Sequence, residues 1–424
     1  MEKIDTIVVS ASSVLKALKG NESAFEKTVA DRARELDDDW QQAALMAQFG
    51  EALRELEAEE RKTSPRVLHS PQNALASRLQ SALAEQSLDL SPLAEGGNEL
   101  KFDEVTDPLG WFWSVVRDWN GNQHPIVRPL DPAPAAVGDS FKIALFSDWA
   151  TGMYGAPHLR DSIQNMPGEL DLVMHLGDTY YAGSEKEVRQ RLLAFLPKRA
   201  DAVRRTLNGN HEMYSGGWAY FDIALAELKQ KSSYFALKNS NWLLIALDTA
   251  HTDFDIDSDQ ATWLKETIDK HGAGKKVMLF SHHQIFSQLD HQGPKLAKSI
   301  GSLLIGKKID YWYWGHEHRC VLYDRHDGYN LVARCVGHGG MPQTRGPEQV
   351  APAEDSIANV TWRRLGKKVG VPSALILDGP NDYIPGQEKG YSPHGFLTVS
   401  LSGKQAQETY YLPDRTPIWD RPLP

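Results

Sequence analysis

The chain has 424 residues, 41% of them hydrophobic, and a formal net charge of −10. That apolar fraction can build a core, but no apolar run approaches the ~18 residues of a spanning helix, so no membrane is expected as a partner. The negative balance argues against general adhesion to nucleic acid, two cysteines exclude a disulfide framework, and Met1-Glu2-Lys3-Ile4-Asp5 lacks the basic start of a secretory signal. The expectation is a cytoplasmic chain.

Residues 1–105 are acidic and patterned as helices. Phe25, Val29 and Leu36, then Leu45, Phe49, Leu53 and Leu56, recur at helical spacing. Ser70-Pro71 marks the cap and first position of a further helix carrying Leu75, Leu79 and Leu83. Nothing in this region has catalytic spacing, so it reads as a solvated helical appendage on a catalytic domain. The alternative is a module for dimerisation, which would make the chain a homo-oligomer, or for binding a partner. Residues 106–140 are expected to connect the two parts. Trp111, Trp113 and Trp119 would anchor the region to the core, and Pro125, Pro129, Pro132 and Pro134 suggest an extended linker.

From residue 141 to 424 strands alternate with helices. Helices are expected after Pro157, around 185–195 and 218–231, and over Gln260–His271, where Asp257 and Gln260 make a capping box. Asp327-Gly328 is a two-residue hairpin signal that would set Cys320 opposite Cys335, with free thiols expected in a reducing compartment. Five apolar runs share one property. Phe141–Ser147 ends in Asp148, and Leu172–Leu176 ends in Gly177-Asp178. Val203–Asn208 ends in Gly209-Asn210-His211-Glu212, Lys276–Ser281 in His282-His283, and Tyr311–Trp314 in Gly315-His316-Glu317-His318. In an α/β sheet the carboxyl ends of strands face the ligand, so this pattern delivers Asp, Asn and His to one edge. Such a set is suited to metal ions.

This ordered set resembles the calcineurin-like metallophosphoesterase superfamily, over roughly residues 141–412, and Val336-Gly337-His338-Gly339-Gly340 is similar to its glycine-rich last strand end. The resemblance implies a four-layer α/β/β/α sandwich, here with an N-terminal α-helical appendage, and two metal ions at one edge. The superfamily usually opens with Asp-x-His, but this chain has Asp148-Trp149-Ala150, and Ala150 cannot ligate. Tyr181, three residues after Asp178, is the expected substitute, and the combination resembles the purple acid phosphatase branch, in which a tyrosinate binds ferric iron.

Carried over, the resemblance gives the first metal Asp148, Asp178, Tyr181 and His318, and the second Asp178, Asn210, His282 and His316, with Asp178 bridging. The implied cofactors are iron at the first site and iron, zinc or manganese at the second. The implied reaction is hydrolysis of a small phosphate monoester by a metal-bound hydroxide in an in-line displacement. His211 matches the catalytic histidine that contacts substrate or protonates the leaving oxygen, with Glu212 orienting it or supporting Asn210. His291 is a candidate second histidine on the substrate side. His175 reads as a core histidine, and His283 as pointing away from His282 by strand alternation. The loops 152–158, 284–300 and 341–371 would wall the site, the last reading as a lid through Arg345, Arg363 and Arg364. Two alternatives stand beside it: a phosphodiesterase using the same site on cyclic nucleotides or other diesters, between which and a monoesterase the ligands do not decide, and a non-catalytic binding or regulatory module, against which the complete ligand set argues.

Overall fold

Apolar runs buried on both faces become the central strands. The computed structural model describes residues 11–18, 22–35, 39–61, 67, 71–90, 123–290 and 293–424. Ser70, Trp111, Trp113, Trp119 and His291 therefore lie outside the described residues. The strands are β1 (Ala135–Ala136), β2 (Ser140–Phe146), β3 (Leu172–His175), β4 (Val203–Thr206), β5 (Phe235–Lys238), β6 (Trp242–Ala246), β7 (Lys276–Ser281) and β8 (Tyr311–Trp314). They continue with β9 (Cys320–Tyr323), β10 (Val332–Val336), β11 (Ala353–Ile357), β12 (Val360–Leu365), β13 (Ala374–Asp378), β14 (Phe396–Ser402), β15 (Gln405–Tyr411) and β16 (Pro417–Pro422). One sheet runs β16-β15-β14-β2-β3-β4 and the other β1-β5-β6-β7-β8-β10-β9-β13-β12-β11. The strands that carry the polar ends pair in parallel, β2 with β3, β3 with β4 and β7 with β8. Their carboxyl ends therefore emerge on the same side of each sheet.

The two sheets pack face to face through Ile143, Leu145, Met174, Leu397 and Val399 from one and Leu244, Met278, Phe280, Tyr313 and Leu322 from the other. Helices cover both outer faces. Leu159, Ile163, Val188, Leu192 and Phe221 lie against Ala144, Phe146 and Val173. Trp263, Leu264, Ile268 and Leu296 lie against Leu243, Ile245, Val277 and Leu279. This is the expected α/β/β/α sandwich. Strands β2, β3, β7 and β8 are buried along nearly their whole length, which is why they read as continuous apolar runs and not as alternating ones.

The N-terminal helices are α1 (Ala11–Leu18), α2 (Glu22–Glu35), α3 (Asp39–Glu60) and α4 (Ala74–Leu90). Their apolar positions Val14, Phe25, Val29, Leu45, Phe49, Leu56, Leu75, Leu79 and Leu83 form one cluster, which also takes in Tyr180, Tyr181 and Met341 of the sandwich. The helices thus rest on the edge that holds the polar strand ends. Asn73 starts α4, its side chain accepting from the amides of Leu75 and Ala76, in place of the expected Ser70 cap. No helix among the described residues is long and apolar enough to cross a membrane.

Three local expectations need correction. Asp257 does accept from the Gln260 amide, but the Gln260 side chain turns to the Asp248 backbone instead of closing a capping box. Cys320 pairs with Val336 and Cys335 with Val321, because the β9–β10 connection is longer than two residues. The cysteines consequently point to opposite faces of the sheet, and both are free and buried. Residues 353–365 extend the sheet as β11 and β12 and do not form a lid. There Arg345 and Arg363 share Asp378, while Arg364 is paired with Asp324 and Glu354.

Candidate metal centre

The donors sit where the chain leaves its strands and turns sharply. Asp148, Asp178, His316 and His318 all have positive φ, at 54°, 76°, 67° and 52°. Non-glycine residues in that region cost on the order of 1–3 kcal/mol each and persist where the surroundings over-determine them. Gly209 shows how tight those surroundings are. A Cβ there would stand 2.2 Å from Asp178 Oδ1, so only glycine lets the Asn210 turn approach the Asp178 turn.

Two groups of donors result. Asp148, Asp178 and His318 offer atoms within 4.8 Å of one another, and so do His282, His283 and His316. Asn210 joins the second group, its Oδ1 lying 3.0 Å from both His282 Nε2 and His316 Nδ1. Asp178 stands between the groups. Its Oδ2 is 3.0 Å from the Tyr180 hydroxyl, and its Oδ1 is 3.3 Å from His282 Nε2. The backbone amides of His316 and His211 donate to Asp148 Oδ2 and Asp178 Oδ1, which fixes both carboxylates.

The phenol in the first group belongs to Tyr180, where the sequence reading expects Tyr181. The Tyr180 hydroxyl lies 3.0 Å from Asp148 Oδ1 and 2.9 Å from His318 Nε2. The Tyr181 ring instead packs under the Arg191 guanidinium and into the cluster of N-terminal helices. The physical reason is that residues 180–182 form a turn and no longer a strand. Arg191 Nη1 donates to the Tyr180 carbonyl, and Glu187 accepts from the amides of Tyr181 and Ala182. A salt-bridged pair thus holds the turn that aims Tyr180 inward.

His283 departs from expectation for the same reason. The strand ends at Ser281, alternation lapses, and the His283 ring comes to 4.8 Å from those of both His282 and His316. His211 lies between the rings of Tyr180 and Tyr214, its Nδ1 at the Tyr181 carbonyl and its Nε2 3.8 Å from Asp178 Oδ2. It borders the donor groups without joining either. His175 is buried behind them with Nδ1 against Thr206. Glu212 supports Asp178, and not Asn210 or His211 as expected. Its carboxylate accepts from the Asp178 and Gly209 amides and the Thr179 hydroxyl, tying the two turns together.

Electrostatics follow from this packing. Burial opposes charge on Asp178, but the surrounding histidines, His282 first, hold its carboxyl well below the usual range. Asp148 is lowered likewise, by His318 and His282 against the cost of burial. Burial works against His282 too, yet the charge of Asp178 outweighs it and raises its pKa to about 9. Burial and the charge on His282 take His316 down to about 4. Ionised carboxylates and a neutral imidazole are the states that metal ligation requires, and a cation would displace the proton that His282 carries. The donor set fits two metal ions.

Residues 141–320 match the family model of the calcineurin-like phosphoesterases. No curated protein matches the chain. Among solved structures it is similar to a purple acid phosphatase from yellow lupin (Lupinus luteus) seeds, at 13% identity and a TM-score of 0.49, covering 69% of this chain and 55% of that one. It is similar to GAP50, the anchor in the inner membrane complex of Plasmodium, at 13% identity and a TM-score of 0.47, covering 67% and 88%. A dimetal phosphatase from Danio rerio aligns at 13% identity and a TM-score of 0.41, covering 67% and 98%. Residues 141–320 therefore carry a calcineurin-like phosphoesterase domain.

Proposed function

We propose that the protein hydrolyses small phosphate monoesters at a two-metal centre. The observation that carries this reading is the position of Asp178, whose two oxygens face different donor groups. Only a carboxylate can offer an oxygen and a share of charge to each of two cations. Asp148, Asp178, Tyr180 and His318 would hold the first ion, and Asp178, Asn210, His282 and His316 the second. Two carboxylates and a phenolate are hard oxygen donors, which favours ferric iron in the first group, while Asn210 and two imidazoles suit iron, zinc or manganese in the second. When bound, the ions supply Lewis-acid polarisation and charge neutralisation to the phosphoryl group.

The protein's own contribution is orientation and proton handling. The Tyr181 carbonyl can only accept, so His211 Nδ1 carries a proton and the ring is held with Nε2 toward the site. A phosphate anion beside Nε2 favours the imidazolium. His211 can then donate to the leaving oxygen as the ester bond breaks. Tyr214 donates to the Gln72 carbonyl and receives a hydrogen bond from Asn210 Nδ2, so the N-terminal segment helps to position a donor of the second group.

The test combines metal analysis with a substrate panel. Asp178→Asn should lose metal and activity together. Wild type should prefer an aryl phosphate over a bis-aryl phosphate and a cyclic nucleotide. Near-wild-type hydrolysis by Asp178→Asn would overturn the two-metal mechanism, and preference for either diester would overturn the monoester assignment.

A further inference from the structure

His283 has no role in the reading above, yet its environment is built. The Thr249 carbonyl lies 3.0 Å from Nδ1, and a carbonyl can only accept, so Nδ1 carries the proton and Nε2 keeps a lone pair. The Thr249 hydroxyl accepts from the His283 amide at 3.1 Å and also lies 3.1 Å from Nδ1. Nε2 is fully buried and has no protein partner among the described residues. Buried polar atoms are normally satisfied, and an orphan costs on the order of 1–3 kcal/mol. His283 offers one ring nitrogen within 4.8 Å of the His282 and His316 donors, and Nε2 is the one without a protein partner. Phe254 covers the cluster, its ring 3.9 Å from that of His283 and edge-on to His316 at 5.0 Å, which shields these imidazoles from water.

We propose that His283 is a third imidazole donor of the second metal group and makes that group selective for zinc over manganese. The inference rests on the two-metal reading and deepens it. With Asp178 and Asn210 alone beside one or two histidines, the group would suit either ion. A third imidazole tilts it toward zinc, because nitrogen donors favour zinc while carboxylate and carbonyl oxygens serve manganese as well.

The test uses full-length, metal-stripped protein. Zinc is titrated against a chromophoric chelator, and manganese binding is followed by electron paramagnetic resonance. His283→Asn keeps an amide near the position of Nδ1 to meet Thr249, but removes Nε2. It should weaken zinc binding at one of two sites by about 10–100-fold, the range seen when a metal's supporting groups are removed, and leave manganese binding within about threefold. His283→Gln places an amide oxygen near the old Nε2 position; it should also lose zinc affinity but hold manganese at least as well as wild type. Should the Asn variant fail to fold, the Gln variant gives the same discrimination. Two zinc equivalents bound equally tightly by wild type and both variants would overturn this inference alone. Equal losses for zinc and manganese would also overturn it, by showing a purely structural role. Fewer than two metal ions held by wild type loaded with ferric iron and zinc together would overturn the two-metal reading and the inference with it.

Discussion

Tyr180→Phe removes one oxygen from the densest part of the site and leaves the ring in place. That hydroxyl is within 3.0 Å of Asp148, Asp178 and His318 side-chain atoms. The ring is fully buried and packed against His211, so phenylalanine fits the same space. In the metal-free protein the phenol is protonated, since burial and the two carboxylates push its pKa far up. Losing its hydrogen bond to buried carboxylates should cost about 1.5–3 kcal/mol, as hydrogen bonds to charged groups do. In the metal-loaded protein the loss is a ligand. Supporting residues outside the coordination sphere already contribute 10–100-fold, so first-group affinity should fall by at least about 100-fold. Metal content after dialysis against a chelator measures this directly. Calorimetry in buffers of different ionisation enthalpy adds a second readout, because wild type should release one more proton on metal binding than Tyr180→Phe. Protein loaded with ferric iron should be coloured by phenolate-to-iron charge transfer. The colour should vanish in Tyr180→Phe and persist in Tyr181→Phe. Unchanged metal content in Tyr180→Phe, or colour that follows Tyr181, would refute the assignment.

His211→Ala should slow turnover by ~10²–10⁴-fold with metal content intact, and aryl esters should suffer less than alkyl esters, whose leaving groups need the proton more. A metal missing from that variant would make His211 a ligand instead. Deleting residues 1–122 uncovers Tyr181 and Met341, which pack against the N-terminal helices, and leaves Tyr214 without Gln72. The shortened chain should therefore aggregate and bind the second metal more weakly; a soluble, fully metallated truncate would show that the helices are mere decoration. His394 is buried, and burial first, then the charge of His338, lowers its pKa to about 3. It stays neutral when folded but takes a proton below about 6.5 when unfolded, so stability falls as pH drops through that window. Between pH 7 and 5 this group removes about 2 kcal/mol, and denaturant titrations should show the stability gap between wild type and His394→Gln closing by that amount. A gap that stays constant would mean that His394 ionises freely in the fold.

The strand ends and most of their donors were legible in the sequence, because an apolar run cut short by Gly-Asp, Gly-Asn-His or Gly-His-x-His is a local signal. Asp148, Asp178, Asn210, His282, His316 and His318 lie at the edge where those runs end, and the sandwich follows from burial of the runs on both faces. What the sequence by itself could not determine begins one residue past each strand. Alternation assigns a side chain to a face only while the backbone stays extended. Past Asp178 the chain turns, and Glu187 and Arg191 decide that Tyr180 and not Tyr181 enters the site. Past Ser281 it turns again, and Thr249 aims His283 at its neighbours. Glu212 reaches across to the Asp178 turn, and the N-terminal helices meet Tyr181 and Tyr214, through contacts that no local pattern encodes. Those choices belong to the tertiary structure: Thr249, Glu212 and the N-terminal helices reach their partners from distant parts of the chain, and even Glu187 and Arg191, 6 and 11 residues on, act through a folded turn that no residue pattern specifies.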